Sequence, residues 1–251
     1  MVEANPAAAD RFPYTYGHFR TDKPAVEGYT SELVHHSVDP AHLEDFNKMP
    51  ILNSPTKSLI EAFYQSKDRY ANRPFLGTRP PQPDGSFGPY EWMTYARVFE
   101  VYEEIAKGSK VHNLFQNIPG INEDGKEWAF CGIWSKNRWE WHVTQLAAMV
   151  LKATVVGFYD SMGDSSVDYC MNQTRLETMF VSSGYLKKLL GMREAGMAQY
   201  LKTIVLFDVD AETSVQKERA RGLGIEVYML DDIRQAGRNA GSDVTLDPST
   251  I

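Results

Sequence analysis

Cysteine is scarce in this chain: 251 residues hold only Cys131 and Cys170. So few thiols exclude a disulfide scaffold. With Cys131 inside a predicted core strand, they point to a reducing compartment. Basic residues do not dominate either. Lys and Arg total 26 against 33 Asp and Glu, a formal net charge of −7, which excludes the basic stripe of a nucleic-acid-binding surface. Long apolar runs are missing as well. The longest, Leu146–Phe158, is broken by Lys152 and falls well short of a membrane-spanning helix. The opening MVEANPAAADRF lacks a basic region followed by an apolar block, so no secretory signal is expected. The closing Pro-Ser-Thr-Ile is not a Ser-Lys-Leu-like peroxisomal address.

What is present has a globular composition, 43% hydrophobic and 24% charged, enough for a sizeable core in one large domain or two small ones. The most informative stretch is Trp128–Gly163, WAFCGIWSKNRWEWHVTQLAAMVLKATVVGFYDSMG. Trp128–Ser135 reads as a buried strand. Asn137 is placed to cap a helix, with Glu140 as the reciprocal capping residue. Trp139, Val143, Leu146 and Val150 recur at helical spacing and give that helix an apolar face, Arg138 falling on its polar side. Ala153–Tyr159 is a second buried strand. Two such strands joined by a helix form a crossover unit and imply a parallel sheet covered on both faces.

The rest of the chain is read in order. Met1–Pro50, rich in Pro, Asp, Thr and His, has no sustained period and reads as an extended arm. Asn53–Pro55 looks like the start of a helix over Pro55–Tyr70, with Leu59, Ile60, Phe63 and Tyr64 inward. Phe75–Thr78 and Tyr90–Thr94 flank the turn-rich PPQPDGSFGP and predict a hairpin with a long loop. Tyr95–Ser109 follows as a helix with Val98, Val101, Tyr102 and Ile105 inward. Beyond the central stretch, helices are expected at Ser165–Thr174, Ser183–Gly196, Glu212–Gly222 and Asp231–Gly237. Strands are expected at Thr178–Val181, Thr203–Phe207 and Ile225–Leu230. This alternation predicts an α/β class, doubly wound, with a mostly parallel sheet and helices on both faces.

Several local patterns suggest chemistry and fall short of it. Gly120–Lys126 has phosphate-loop spacing, but Glu127 stands where Ser or Thr would hold Mg²⁺, and the loop precedes a strand. Gly222-Leu-Gly224 lacks the third glycine of a dinucleotide fingerprint. His35-His36-Ser37-Val38-Asp39 is one residue short of an acyltransferase box. His35, His36 and His42 have no second cluster to complete a metal site and read as a solvated loop. Other residues stay open between two roles. Ser182-Ser183-Gly184 offers amides to an anion, or Ser183 caps a helix. Lys136 and Arg138 meet phosphates, or Arg138 pairs with a surface carboxylate. Tyr159 and Asp160 stand at the carboxyl end of a parallel strand, where α/β sheets place ligands, or Asp160 caps the next helix.

GIWSKNRWEW followed by VVGFYDSMG resembles the eukaryotic long-chain fatty acid–CoA ligases of the adenylate-forming (AMP-binding) superfamily. The matching residues are Gly132, Ile133, Ser135, Lys136, Asn137, Arg138, Glu140 and Trp141, then Tyr159, Asp160 and Gly163. Glu91–Tyr95 (EWMTY) fits the family's hairpin-to-helix junction. Weaker likeness runs from about Phe75 to Ile251. The resemblance implies an enzyme that joins a fatty acid to coenzyme A through an acyl-adenylate, using ATP and Mg²⁺. It also implies cytoplasmic placement or peripheral attachment to an intracellular membrane (endoplasmic reticulum or peroxisome), not secretion. The family's Thr/Ser/Gly-rich phosphate loop, ribose-holding acid and C-terminal lysine have no counterpart in Met1–Ile251. No catalytic, cofactor-binding or metal-binding residue is therefore assigned, and neither ATP, Mg²⁺ nor CoA is expected to bind this chain tightly. The expected division is an arm over 1–50 and the first part of an AMP-binding domain over 51–251, ending before the phosphate loop.

Two departures mark a divergent member. A family proline is replaced by glycine in Val156-Gly157-Phe158-Tyr159-Asp160, and a family histidine is lost in Asn172-Gln173-Thr174-Arg175. The alternative to a ligase segment is a noncatalytic binding or interaction module that keeps the fold. A third reading, an ordinary Rossmann nucleotide enzyme, is disfavoured by the missing glycine fingerprint.

Overall fold

The computed structural model describes residues 17–19, 26–29, 33–35, 58–118 and 127–247. The chain divides into two compact units, Met1–Lys57 and Ser58–Ile251. In the first, β1 (Gly17–Phe19) and β2 (Leu33–His35) pair antiparallel, two short strands that the hydrophobic pattern did not reveal. Apart from an exposed turn at 26–29, the remainder of the Met1–Pro50 arm lies outside the described residues, as do the helix start at Asn53–Pro55, His36, His42 and the Gly120–Lys126 loop.

The second unit opens with α1 (Leu59–Tyr70), whose cap is Ser58: its Oγ accepts from the Glu61 N–H at 3.1 Å. Ile60, Phe63 and Tyr64 face inward as expected, whereas Leu59 is 75% exposed, because it falls on the solvent side of the first turn whose next residue, Ile60, is buried. A hairpin of β3 (Pro74–Thr78) and β4 (Glu91–Thr94) leads into α2 (Tyr95–Val111), capped by Thr94. Val98, Val101, Tyr102 and Ile105 are all buried. The rings of Phe63, Phe75, Tyr95 and Phe99 stack or tilt against one another and bind α1, the hairpin and α2 into one layer.

The main sheet is built from β5 (Asn117–Ile118), β6 (Trp128–Trp134), β7 (Ala153–Phe158), β8 (Thr178–Val181), β9 (Thr203–Leu206) and β10 (Glu226–Met229). β6 pairs parallel with β7 along one edge. Its other edge is shared by β8, parallel at the carboxyl end, and β5, antiparallel at the amino end. β9 and β10 extend the sheet in parallel. Alternation sorts the side chains. Ala129, Cys131, Ile133, Phe180 and Val205 join a core under α2, α3 (Trp139–Val150) and α7 (Leu230–Ala240). Trp134, Met179, Val181, Ile204 and Leu206 join the opposite core under α4 (Asp164–Gln173), α5 (Leu186–Glu194) and α6 (Thr213–Gly222). This is the doubly wound α/β arrangement expected.

Two local expectations are corrected. The cap position of α3 is Arg138, not Asn137, and no side chain caps it; Glu140 turns instead to the Arg138 guanidinium. The buried strip of α3 is Glu140, Val143, Thr144, Ala147, Ala148 and Val150, with Trp139 and Leu146 only half-buried. Small residues let the helix backbone approach the core, and the larger ones ride at the margin. Gly237, read as a helix stop, lies inside α7. A Cβ there would sit 1.9 Å from the Glu104 carbonyl oxygen, and one on Gly108 would sit 1.8 Å from that of Ile233. The two glycines thus permit a close crossing of α2 and α7, which Glu104 secures by accepting from Arg234 at 2.8 Å and Arg238 at 2.9 Å.

That contact sets the first expectation. Gly108→Ala or Gly237→Ala should each cost about 2–3 kcal/mol, because backbone must move to admit the methyl group. Gly191→Ala, inside α5 with only an arginine tip at 3.8 Å, should stabilise by about 0.5–1 kcal/mol. Urea unfolding of the three variants checks both the sign and the order.

Candidate functional site

The carboxyl ends of β6, β8 and β9 open onto a cleft of about 900 Å³. One wall comes from the segments that follow these strands: Lys136 to Glu140 after β6, Ser182, Gly184 and Tyr185 after β8, and Asp208 after β9. The β3–β4 hairpin supplies the facing wall with Gly77, Thr78, Arg79, Phe87 and Tyr90. Strand ends collect polar groups here because the apolar pattern that buries the sheet stops where the strands stop.

Arg138 organises the first wall. Its guanidinium donates to Glu140 through Nε at 2.8 Å and Nη2 at 2.7 Å, to Ser182 Oγ at 3.1 Å, and to Asp208. It also lies over the Phe207 ring, 5.3 Å from the centroid. Asp208 in turn accepts the Ser183 N–H at 2.7 Å. One cation therefore joins the ends of three parallel strands. Burial raises the Asp208 carboxyl, but hydrogen bonds from Ser183 and Arg138 outweigh it and hold the group below its ordinary range. The Glu140 pairing, against the cost of burial, keeps Arg138 protonated well above neutrality.

The facing wall is aromatic. Arg79 donates to the carbonyl oxygens of Gly88 and Phe87, both at 2.8 Å, and its guanidinium lies 5.9 Å from the centroids of Phe87 and Tyr90. Tyr90 stacks on Trp92, whose ring covers Gly77 closely enough that a Cβ there would meet it at 2.8 Å. Both carboxylates of the cleft, Glu140 and Asp208, are satisfied by Arg138. Lys136 is exposed and makes no ion pair among the described residues. The cleft thus carries spare positive charge between aromatic surfaces, suited to an anionic guest with a flat or apolar part.

Several residues singled out in the sequence take different places. Arg138 is no surface charge: its side chain is 23% exposed and Glu140 only 8%. Ser183 is not a cap; the position before the short 3₁₀ turn Ser183–Tyr185 is Ser182, and the Ser183 amide is consumed by Asp208 rather than free for an anion. Asp160 caps nothing, since Gly163 precedes α4; it accepts from the Tyr185 hydroxyl, which burial and this bond push up to about 12. Tyr159 is 72% exposed and neither it nor Asp160 lines the cleft. Burial pushes the Cys131 thiol up, so it is a core residue and not a nucleophile. No group of three or more His, Cys, Asp or Glu able to hold a metal ion occurs among the described residues, so no residue here is assigned to Mg²⁺. Asp208, Arg79 and the hairpin aromatics escaped the sequence reading. The strand-end rule that flagged Asp160 would have flagged Asp208 equally.

Arg138→Ala should cost about 2–3 kcal/mol, below the full penalty for breaking a buried pair because Asp208 is 39% exposed. Trp139→Ala, at a half-buried site, should cost about 1–2 kcal/mol, and urea melts read the order. Asp208 also predicts an acid limb. A carboxyl depressed in the folded state contributes stability above its unfolded value of 3.8 and loses it as pH falls through the lower folded value. Asp208→Asn should therefore flatten the decline in melting temperature below about pH 4, relative to the unsubstituted chain.

No protein-family model matches the chain. Fatty acyl-CoA synthetase B of Dictyostelium discoideum is 30% identical over 196 residues, covering 77% of this chain and 26% of that protein. Long-chain-fatty-acid–CoA ligase 1 of Homo sapiens is 30% identical over 183 residues, 72% of this chain and 24% of its own length. Among solved structures, the adenylation domain of a carboxylate reductase from Mycobacterium chelonae superposes with a TM-score of 0.61 at 17% identity, over 78% of this chain and 31% of that one. The corresponding domain from Segniliparus rugosus, solved with AMP and a co-purified carboxylic acid, gives 0.52 at 16% identity, over 71% and 29%. These superpositions speak for the fold alone. The chain spans about a quarter of the length of the curated relatives it matches. Over the residues so matched, its curated relatives are eukaryotic long-chain acyl-CoA synthetases, and its fold is that of the adenylate-forming enzymes.

Proposed function

We propose that this chain forms part of a long-chain fatty acid–CoA ligase. In that reaction a fatty carboxylate oxygen attacks the α-phosphorus of ATP and pyrophosphate leaves with its electron pair. The thiol of coenzyme A then attacks the acyl carbonyl and expels AMP, giving the thioester. Both steps build negative charge that fixed positive groups must offset. The observation that carries the reading is the likeness to acyl-CoA synthetases over some three quarters of the chain. Its matched residues include Lys136, Arg138 and Glu140 of the cleft at the sheet's carboxyl edge.

Within this reading the chain's own residues shape and charge the cleft. Arg138 fixes its floor, Lys136 supplies an exposed ammonium, and the hairpin aromatics wall off water. The phosphate loop, the ribose-holding acid and the C-terminal lysine would come from residues beyond the 251 present, so the division into an arm over 1–50 and the first part of an AMP-binding domain over 51–251 is kept. Placement in the cytoplasm, or peripherally on an intracellular membrane, goes with it. No helix among the described residues is long and apolar enough to cross a membrane.

Purified Met1–Ile251 should give no ATP–pyrophosphate exchange with palmitate above a heat-killed control. The source transcript should encode a Thr/Ser/Gly-rich loop ending Pro-Lys-Gly within about twenty residues after Ile251, a normal connection length in α/β units. Long-read transcript sequencing decides it. A stop codon directly after Ile251 with no ligase-like exon downstream would sink the ligase reading and favour a noncatalytic module.

A further inference from the structure

We draw no further inference here: the strongest candidate, the cleft between the β3–β4 hairpin and the carboxyl ends of β6, β8 and β9, where exposed Lys136 shares the lining with Arg79, Phe87 and Tyr90, belongs to the site already described, and the anionic guests it suits are those of the proposed ligase reaction.

Discussion

β6 is covered on both faces, and that burden shapes the unit around it. Cys131 and Ile133 point into one core, Trp134 into the other, and all three are fully buried. A parallel strand so placed must be apolar at every position, and its neighbours must repeat the alternation to keep each core continuous. β8 and β9 do so through Phe180 and Val205 on one side and Met179 and Ile204 on the other. Even Gly132 serves this demand: a Cβ there would meet Leu176 at 2.7 Å and Met179 at 2.9 Å. The strand can be this dry only because its backbone groups are spent on β5, β7 and β8.

The same dryness explains where polarity goes. Groups that cannot be buried along the strands gather where the strands end, and Arg138 makes that crowding stable by joining Glu140, Ser182 and Asp208. An arginine suits the place because its planar fork serves several acceptors at once, while its face rests on Phe207. The cleft is thus a consequence of the sheet and not an addition to it. The hairpin that closes it is held independently, by the ring cluster that packs β3 against α1 and α2.

Periodicity and punctuation in the sequence determined the class of fold, the order of elements from α1 to α7, and both faces of the sheet, because burying a strand or a helix imposes a local repeat that can be read without knowing its partner. Two blocks, GIWSKNRWEW and YDSMG, also carried the family likeness. The helix face of α3 was only half legible: alanine and threonine do not register as an apolar stripe, yet they line the buried side. Gly237 was misread for a related reason, since a glycine that ends a helix and one that admits a second helix look alike in one dimension. The cleft belonged to the tertiary structure altogether. Arg138 meets Asp208 across 70 residues of sequence and Ser182 across 44, and Asp160 meets Tyr185 rather than its own helix. No spacing encodes those pairings, because they exist only once parallel strands set their carboxyl ends side by side.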